Sequence, residues 1–223
     1  MEALAYCQTA QDIGVIHGGA GLGKTRAAQH YAATSPHVLV CTMTPETSTS
    51  AAALEEALAA CGIGDFPSGA ARMRRELVRR LGGNGSLLVV DEAQNLSVAG
   101  LETFRGVYDA AGIGLVFCGN SAVYSRLTGG NRAATFAQLY SRVGMHLALS
   151  RPLKADVEAV AATWGVTGAP ELALLWKIAQ THGALRLVVK SLALAARVAE
   201  GAGAALSLDH LQQAWNRLGG QND

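Results

Sequence analysis

Gly18-Gly19-Ala20-Gly21-Leu22-Gly23-Lys24-Thr25 fits the pattern of a glycine, four free positions and then Gly-Lys-Thr, and no other stretch constrains the fold as tightly. The apolar run Ile13 to Ile16 before it reads as a short buried strand, and residues 26 to 33 after it read as helix. The loop therefore lies where a phosphate cradle requires it, between a strand and a helix. Glycines let the backbone curl so that several N–H groups point at phosphate oxygens, and the helix N-terminus adds the positive end of its dipole. Lys24 is expected to reach the β and γ phosphates and the Thr25 hydroxyl to ligate Mg²⁺, with Arg26 beginning the helix beside them. Nucleoside triphosphate binding is the chemistry expected.

The 223 residues suit one domain or a larger domain with a small appendage. Half the residues are apolar and 16% are charged, the balance of a globular chain that can bury a sizeable core. No apolar run is long enough to span a membrane, and the first 16 residues lack a basic start and a cleavage site, so the expected location is the cytoplasm. Cys7, Cys41, Cys61 and Cys118 have neither metal-ligand nor disulfide-framework spacing and read as reduced core residues. The net charge of +1 exerts no global pull on nucleic acid, so any DNA contact must come from a local patch.

Apolar, β-branched runs at Ile13 to Ile16, His37 to Thr42, Ser86 to Val90, Gly114 to Cys118 and Met145 to Leu149 read as five strands. Helical stretches at 26 to 33, 49 to 60, 69 to 81, 98 to 111 and 132 to 140 alternate with them. That alternation predicts an α/β P-loop fold, a five-stranded parallel sheet with helices on both faces. After Arg151-Pro152 the strand signals stop, and 153 to 164, 170 to 181, 184 to 199 and 207 to 218 read as amphipathic helices. Two domains are expected, residues 1–152 for nucleotide and residues 153–223 as a small all-helical lid.

Leu87 to Glu92 is an apolar strand ending in two acids, the form of a Walker B strand. In a parallel sheet the carboxyl ends of the strands converge on the ligand, so Asp91 is expected to face Mg²⁺. Glu92 is expected to orient or deprotonate the attacking water. Binding needs no second carboxylate and hydrolysis does, so Glu92 points to an active ATPase. Asn120 closes the next apolar strand; its amide suits the γ-phosphate or the lytic water, and Asn also simply favours turns.

The order of motifs resembles the AAA+ ATPases, and their wording resembles the branch of transposition regulators that includes phage Mu B and the related transposon ATPases. The resemblance rests on residues 18 to 25, Val90 to Leu96, Leu115 to Asn120, Phe136 to Val143 and Gly183-Ala184-Leu185-Arg186, nearly the whole chain. It implies ATP with Mg²⁺, Asn120 as a first sensor, Arg142 as an arginine finger and Arg186 as a second sensor on the lid. Arg132 is a second candidate finger. A guanidinium projecting from the subunit edge would complete a neighbour's site, which implies a homo-oligomer, a ring or a helical filament, in the ATP state. Double-stranded DNA and a transposase are the partners implied. The resemblance also leads one to expect an N-terminal helix-turn-helix segment, yet only twelve residues precede Ile13, so that module is either absent or outside this sequence.

Arg72, Arg74, Arg75, Arg79 and Arg80 crowd one predicted helix whose apolar positions Met73, Leu77 and Leu81 recur every four residues. Arg72, Arg75 and Arg79 then share a face away from the core, suited to DNA phosphates or to solvent and neighbouring subunits. The reading these features favour is an ATP-dependent, largely sequence-nonspecific DNA-binding ATPase that regulates transposition. A helicase-loader or replication-initiator relative shares most of the motifs, and a nucleotide-switched scaffold without DNA binding shares the loop and the acids.

Overall fold

The computed structural model describes residues 1–128 and 142–219 and divides into two compact units. One comprises Met1–Gly18 and Lys24–Ala148, the other Gly19–Gly23 and Leu149–Asp223. In the first, strands β1 (Ile13–Gly18), β2 (Val38–Thr42), β3 (Leu87–Asp91), β4 (Gly114–Gly119) and β5 (Val143–Leu149) form one sheet in the order β2-β3-β4-β1-β5. β1 with β4, β2 with β3 and β3 with β4 pair in parallel. Every residue of β3 and β4 is buried, as inner strands covered on both faces must be, whereas β5 at the edge alternates half-buried and exposed positions.

Side chains alternate across a strand, and the two faces of this sheet take different helices. Ile13, Val15, Leu88, Val90, Leu115 and Phe117 meet Leu54 and Leu58 of α3 (Ser50–Ala60), Met73 and Leu77 of α4 (Ala70–Leu81), and Phe104 and Val107 of α5 (Val98–Ala111). On the other face lies α1 (Glu2–Ala10), a helix the sequence reading does not anticipate. It sits close because Gly14 and Gly114 have no side chain: a Cβ on Gly14 would come within 2.6 Å of Cys7 Sγ, and one on Gly114 within 2.8 Å of the Cys7 carbonyl carbon.

α2 (Lys24–Thr34) follows the phosphate loop, and α6 (Ser121–Thr128) follows β4 where no helix is predicted. The helix expected at 132 to 140 lies outside the described residues, as does Arg132. In the second unit α7 (Lys154–Ala162), α8 (Ala169–Ala179), α9 (Ala184–Gly201) and α10 (Leu208–Arg217) enclose a core of their own around Val157, Leu175, Ile178, Val188, Leu192, Leu211 and Trp215. Leu153 caps the start of α7, and its N–H donates to the Asp156 carboxylate at 2.8 Å, which gives one otherwise orphaned donor a partner. Among the described residues no helix is long and apolar enough to cross a membrane.

Candidate nucleotide site

The strand register brings three strand ends to one edge. His17 of β1 pairs with Gly119 of β4, and Val90 of β3 with Phe117, so the phosphate loop, Asp91 and Asn120 leave the sheet at neighbouring points. With β4 between β1 and β3, Asn120 emerges between the end of β1 at Gly18 and the end of β3 at Asp91. This is the carboxyl edge of a parallel sheet, where open α/β folds take their ligands.

Gly21 and Gly23 have φ of +80° and +85°, which side-chain-bearing residues rarely adopt, and these two left-handed turns curl the loop. Lys24 Nζ donates to the Gly18 carbonyl at 2.9 Å, holding the ammonium over the start of the loop. Arg26 is exposed on the first turn of α2. The Thr25 hydroxyl donates to Asp91 Oδ2 at 2.6 Å. Asp91 is 1% exposed, and its Oδ1 accepts the Glu92 N–H at 3.0 Å. A hydroxyl and a carboxylate oxygen in contact are hard donors of the kind Mg²⁺ prefers. Among the described residues no cluster of three or more His, Cys, Asp or Glu forms a protein cage. The pair fits Mg²⁺ held by few protein oxygens and completed by phosphate and water.

At Glu92 the backbone turns left-handed, with φ 52° and ψ 36°, which ends β3 and releases the next side chain from strand alternation. Asp91 and Glu92 can therefore reach the same edge despite being adjacent. Glu92 Oε2 accepts from Gln94 Nε2, and Gln94 Oε1 accepts the Asn120 N–H at 3.2 Å. Asn120 Oδ1 in turn accepts the Ala122 N–H at 2.8 Å and caps α6, so the turn-forming use of this asparagine is present and its NH₂ is the end suited to a phosphate oxygen.

Beside the loop, the His17 ring stacks on Tyr124 of α6 with centroids 4.5 Å apart, and Tyr124 meets His146 of β5 edge-on at 6.1 Å. Burial, then the charges of His146 and Lys24, push the His17 pKa below its ordinary value. Burial drives the Cys7 and Cys118 thiols up to about 12, which leaves them protonated and unreactive at neutral pH.

Arg142, just before β5, is exposed and ion-paired through Nη1 with Asp109 of α5, which also takes Arg105. On α4, Arg72, Arg75 and Arg79 are all exposed as the helical spacing predicts, and Arg79 pairs with Glu76. Arg74 instead donates to the Gly106 carbonyl at 3.2 Å. Arg186 is exposed on the first turn of α9, in the unit that includes the loop tip, where the Leu185 N–H donates to the Gly21 carbonyl at 3.1 Å. Sequence reasoning missed Gln94, Asp109 and the His17–Tyr124 stack; each acts across elements, although the position of Gln94 two residues beyond Glu92 offers a local signal.

The family described as "AAA domain" matches residues 7–127, and that described as "Mu B transposition protein, C terminal" matches residues 141–218. The chain is 40% identical over 216 residues to the ATP-dependent target DNA activator B of Escherichia phage Mu, covering 97% of this chain and 69% of that protein. It is 35% identical over 194 residues to the Mu-like prophage FluMu DNA transposition protein B of Haemophilus influenzae, covering 86% and 68%. Among solved structures, the ORC2 protein of Aeropyrum pernix superposes with a TM-score of 0.71 at 18% identity, over 96% of this chain and 66% of that one. The RuvB Holliday junction branch migration motor of Thermotoga maritima gives 0.60 at 17%, over 97% and 66%. These structural likenesses speak for the AAA+ fold alone, and the sequence matches carry the narrower conclusion: the chain belongs to the Mu B family of transposition proteins.

Proposed function

We propose that this protein is an ATPase that binds duplex DNA with little sequence preference and acts in transposition by activating target DNA for a transposase. The observation that carries the reading is the Thr25–Asp91 contact at 2.6 Å with Glu92 next in the chain, on a protein 40% identical to one named as an ATP-dependent target DNA activator. Residues 1–152 would hold the nucleotide and residues 153–223 would serve as the lid.

Mg²⁺, when bound, would neutralise charge on the phosphates. Thr25 and Asp91 would hold it, and Lys24 would give up the Gly18 carbonyl for the phosphates. Gly18, Gly19, Ala20, Gly21, Leu22 and Gly23 would cradle the phosphates through their backbone, with Arg26 at their flank. Glu92 would take the proton from water as its oxygen bonds to the γ-phosphorus, the bond to the bridging oxygen breaks and ADP leaves. Asn120 would orient that water, and Arg186 would sense the phosphate from the lid. Arg142 would exchange Asp109 for the γ-phosphate of a neighbouring copy, so that turnover follows assembly.

Replacing Glu92 by Gln tests the hydrolytic part. ATP binding and ATP-dependent DNA binding should persist in filter-binding assays, while phosphate release falls by at least about a hundredfold. Wild-type turnover in Glu92→Gln would remove Glu92 from the chemistry.

A further inference from the structure

Glu92 and Asn120 leave the sheet from adjacent strands, and one side chain ties them together. Gln94 lies in the short 3-10 turn Ala93–Asn95. The left-handed backbone at Glu92 folds the chain so that side chains two residues apart meet, and Gln94 Nε2 donates to Glu92 Oε2. The other arm of the amide, Oε1, accepts the Asn120 N–H at 3.2 Å. Space for that arm exists because residue 119 is glycine: a Cβ there would collide with Gln94 Oε1. A carboxamide offers donors on one arm and an acceptor on the other, which is the chemistry needed to bridge a carboxylate and a peptide N–H.

We propose that Gln94 is a positioning residue for hydrolysis, bracing the Glu92 carboxylate against the end of β4. Oε2 is engaged by the amide and Oε1 is left to accept from the attacking water. Without the brace the glutamate side chain spreads over several rotamers, and few of them point at a water in line with the γ-phosphate. The link to Asn120 adds a second consequence: the base and the residue beside the γ-phosphate share one rigid connection, so displacement of β4's end reaches Glu92. This inference rests on the reading of Glu92 as the water-activating group.

Gln94→Met keeps the side-chain length and the packing on Gly119 while removing both hydrogen bonds, and Gln94→Ala removes the packing as well. Steady-state ATPase assays on the full chain should show kcat lowered about ten- to a hundredfold in both variants, with KM for ATP and the thermal midpoint close to wild type. In a Glu92→Gln background, Gln94→Met should leave the residual single-turnover rate unchanged, because a residue that acts through Glu92 has nothing further to lose. A kcat of Gln94→Met equal to wild type overturns the proposal, as does an equal fall in the Glu92→Gln background or a rise in KM that accounts for the whole loss. Those outcomes leave the ATPase reading standing. Absence of turnover in the wild-type protein removes that reading and the brace with it.

Discussion

Asp91 and Glu92 show how one backbone turn gives two neighbouring carboxylates different surroundings. Asp91 still belongs to β3 and is buried against Thr25, whereas Glu92 at φ 52° has left the strand and is half-buried beside Gln94. His17 is the residue on this edge with a stability signature of its own. Its folded pKa lies below the ordinary 6.5, through burial and then through His146 and Lys24. Below pH 6.5 the unfolded chain takes up a proton that the folded chain resists, so the His17 contribution to stability is present above that pH and lost as pH falls. Urea midpoints measured between pH 5 and 8 should therefore drop on the acid side, and the drop should shrink in His17→Gln. An unchanged acid slope in that variant would place the effect elsewhere.

α4 carries the argument at the scale of elements. Met73, Leu77 and Leu81 are buried on one side and Arg72, Arg75 and Arg79 are exposed on the other, a division set by a 3.6-residue period. If that exposed face tracks DNA phosphates, the double variant Arg75→Glu, Arg79→Glu should weaken binding uniformly across sequences. The slope of log K against log salt should fall by about 2, near 0.9 for each phosphate that an arginine no longer neutralises. Fluorescence anisotropy at several salt concentrations measures this, and an unaltered slope assigns the face to solvent or to a neighbouring subunit. Elements also mark where sequence reading stops. α4 announces itself by its stripe, but α1 has only Ala3, Leu4 and Cys7 turned inward, and it exists because Gly14, and Gly114 far along the chain, leave it room. Short helices depend on such tertiary packing more than on propensity.

For the whole molecule the leading question is whether a site is complete within one chain. Arg142 is committed to Asp109 in the single chain, an exposed ion pair of the kind that is weak and readily exchanged. If Arg142 serves a neighbour, Arg142→Ala should bind ATP normally and hydrolyse it at least about a hundredfold more slowly. Mixing Arg142→Ala with Lys24→Ala should restore part of the rate, since one supplies a nucleotide site and the other an arginine. Mixtures no more active than their components would place Arg142 in its own subunit or outside the reaction.

The loop from Gly18 to Thr25, the acids closing β3 and the two core-facing periodicities were readable from residue order, because each is a local pattern whose geometry follows from chain stereochemistry over a few residues. The same holds for the helical stretch after Pro152, where the apolar stripes of α7 to α10 stand without a strand among them. What order alone left open is which distant groups meet. Thr25 on Asp91, Gln94 between Glu92 and Asn120, Asp109 on Arg142 and His17 on Tyr124 are decided by strand order, register and the space left by glycines. Those pairings join residues whose separation along the chain carries no periodic signal, and only burial and hydrogen-bond satisfaction in the folded protein select them.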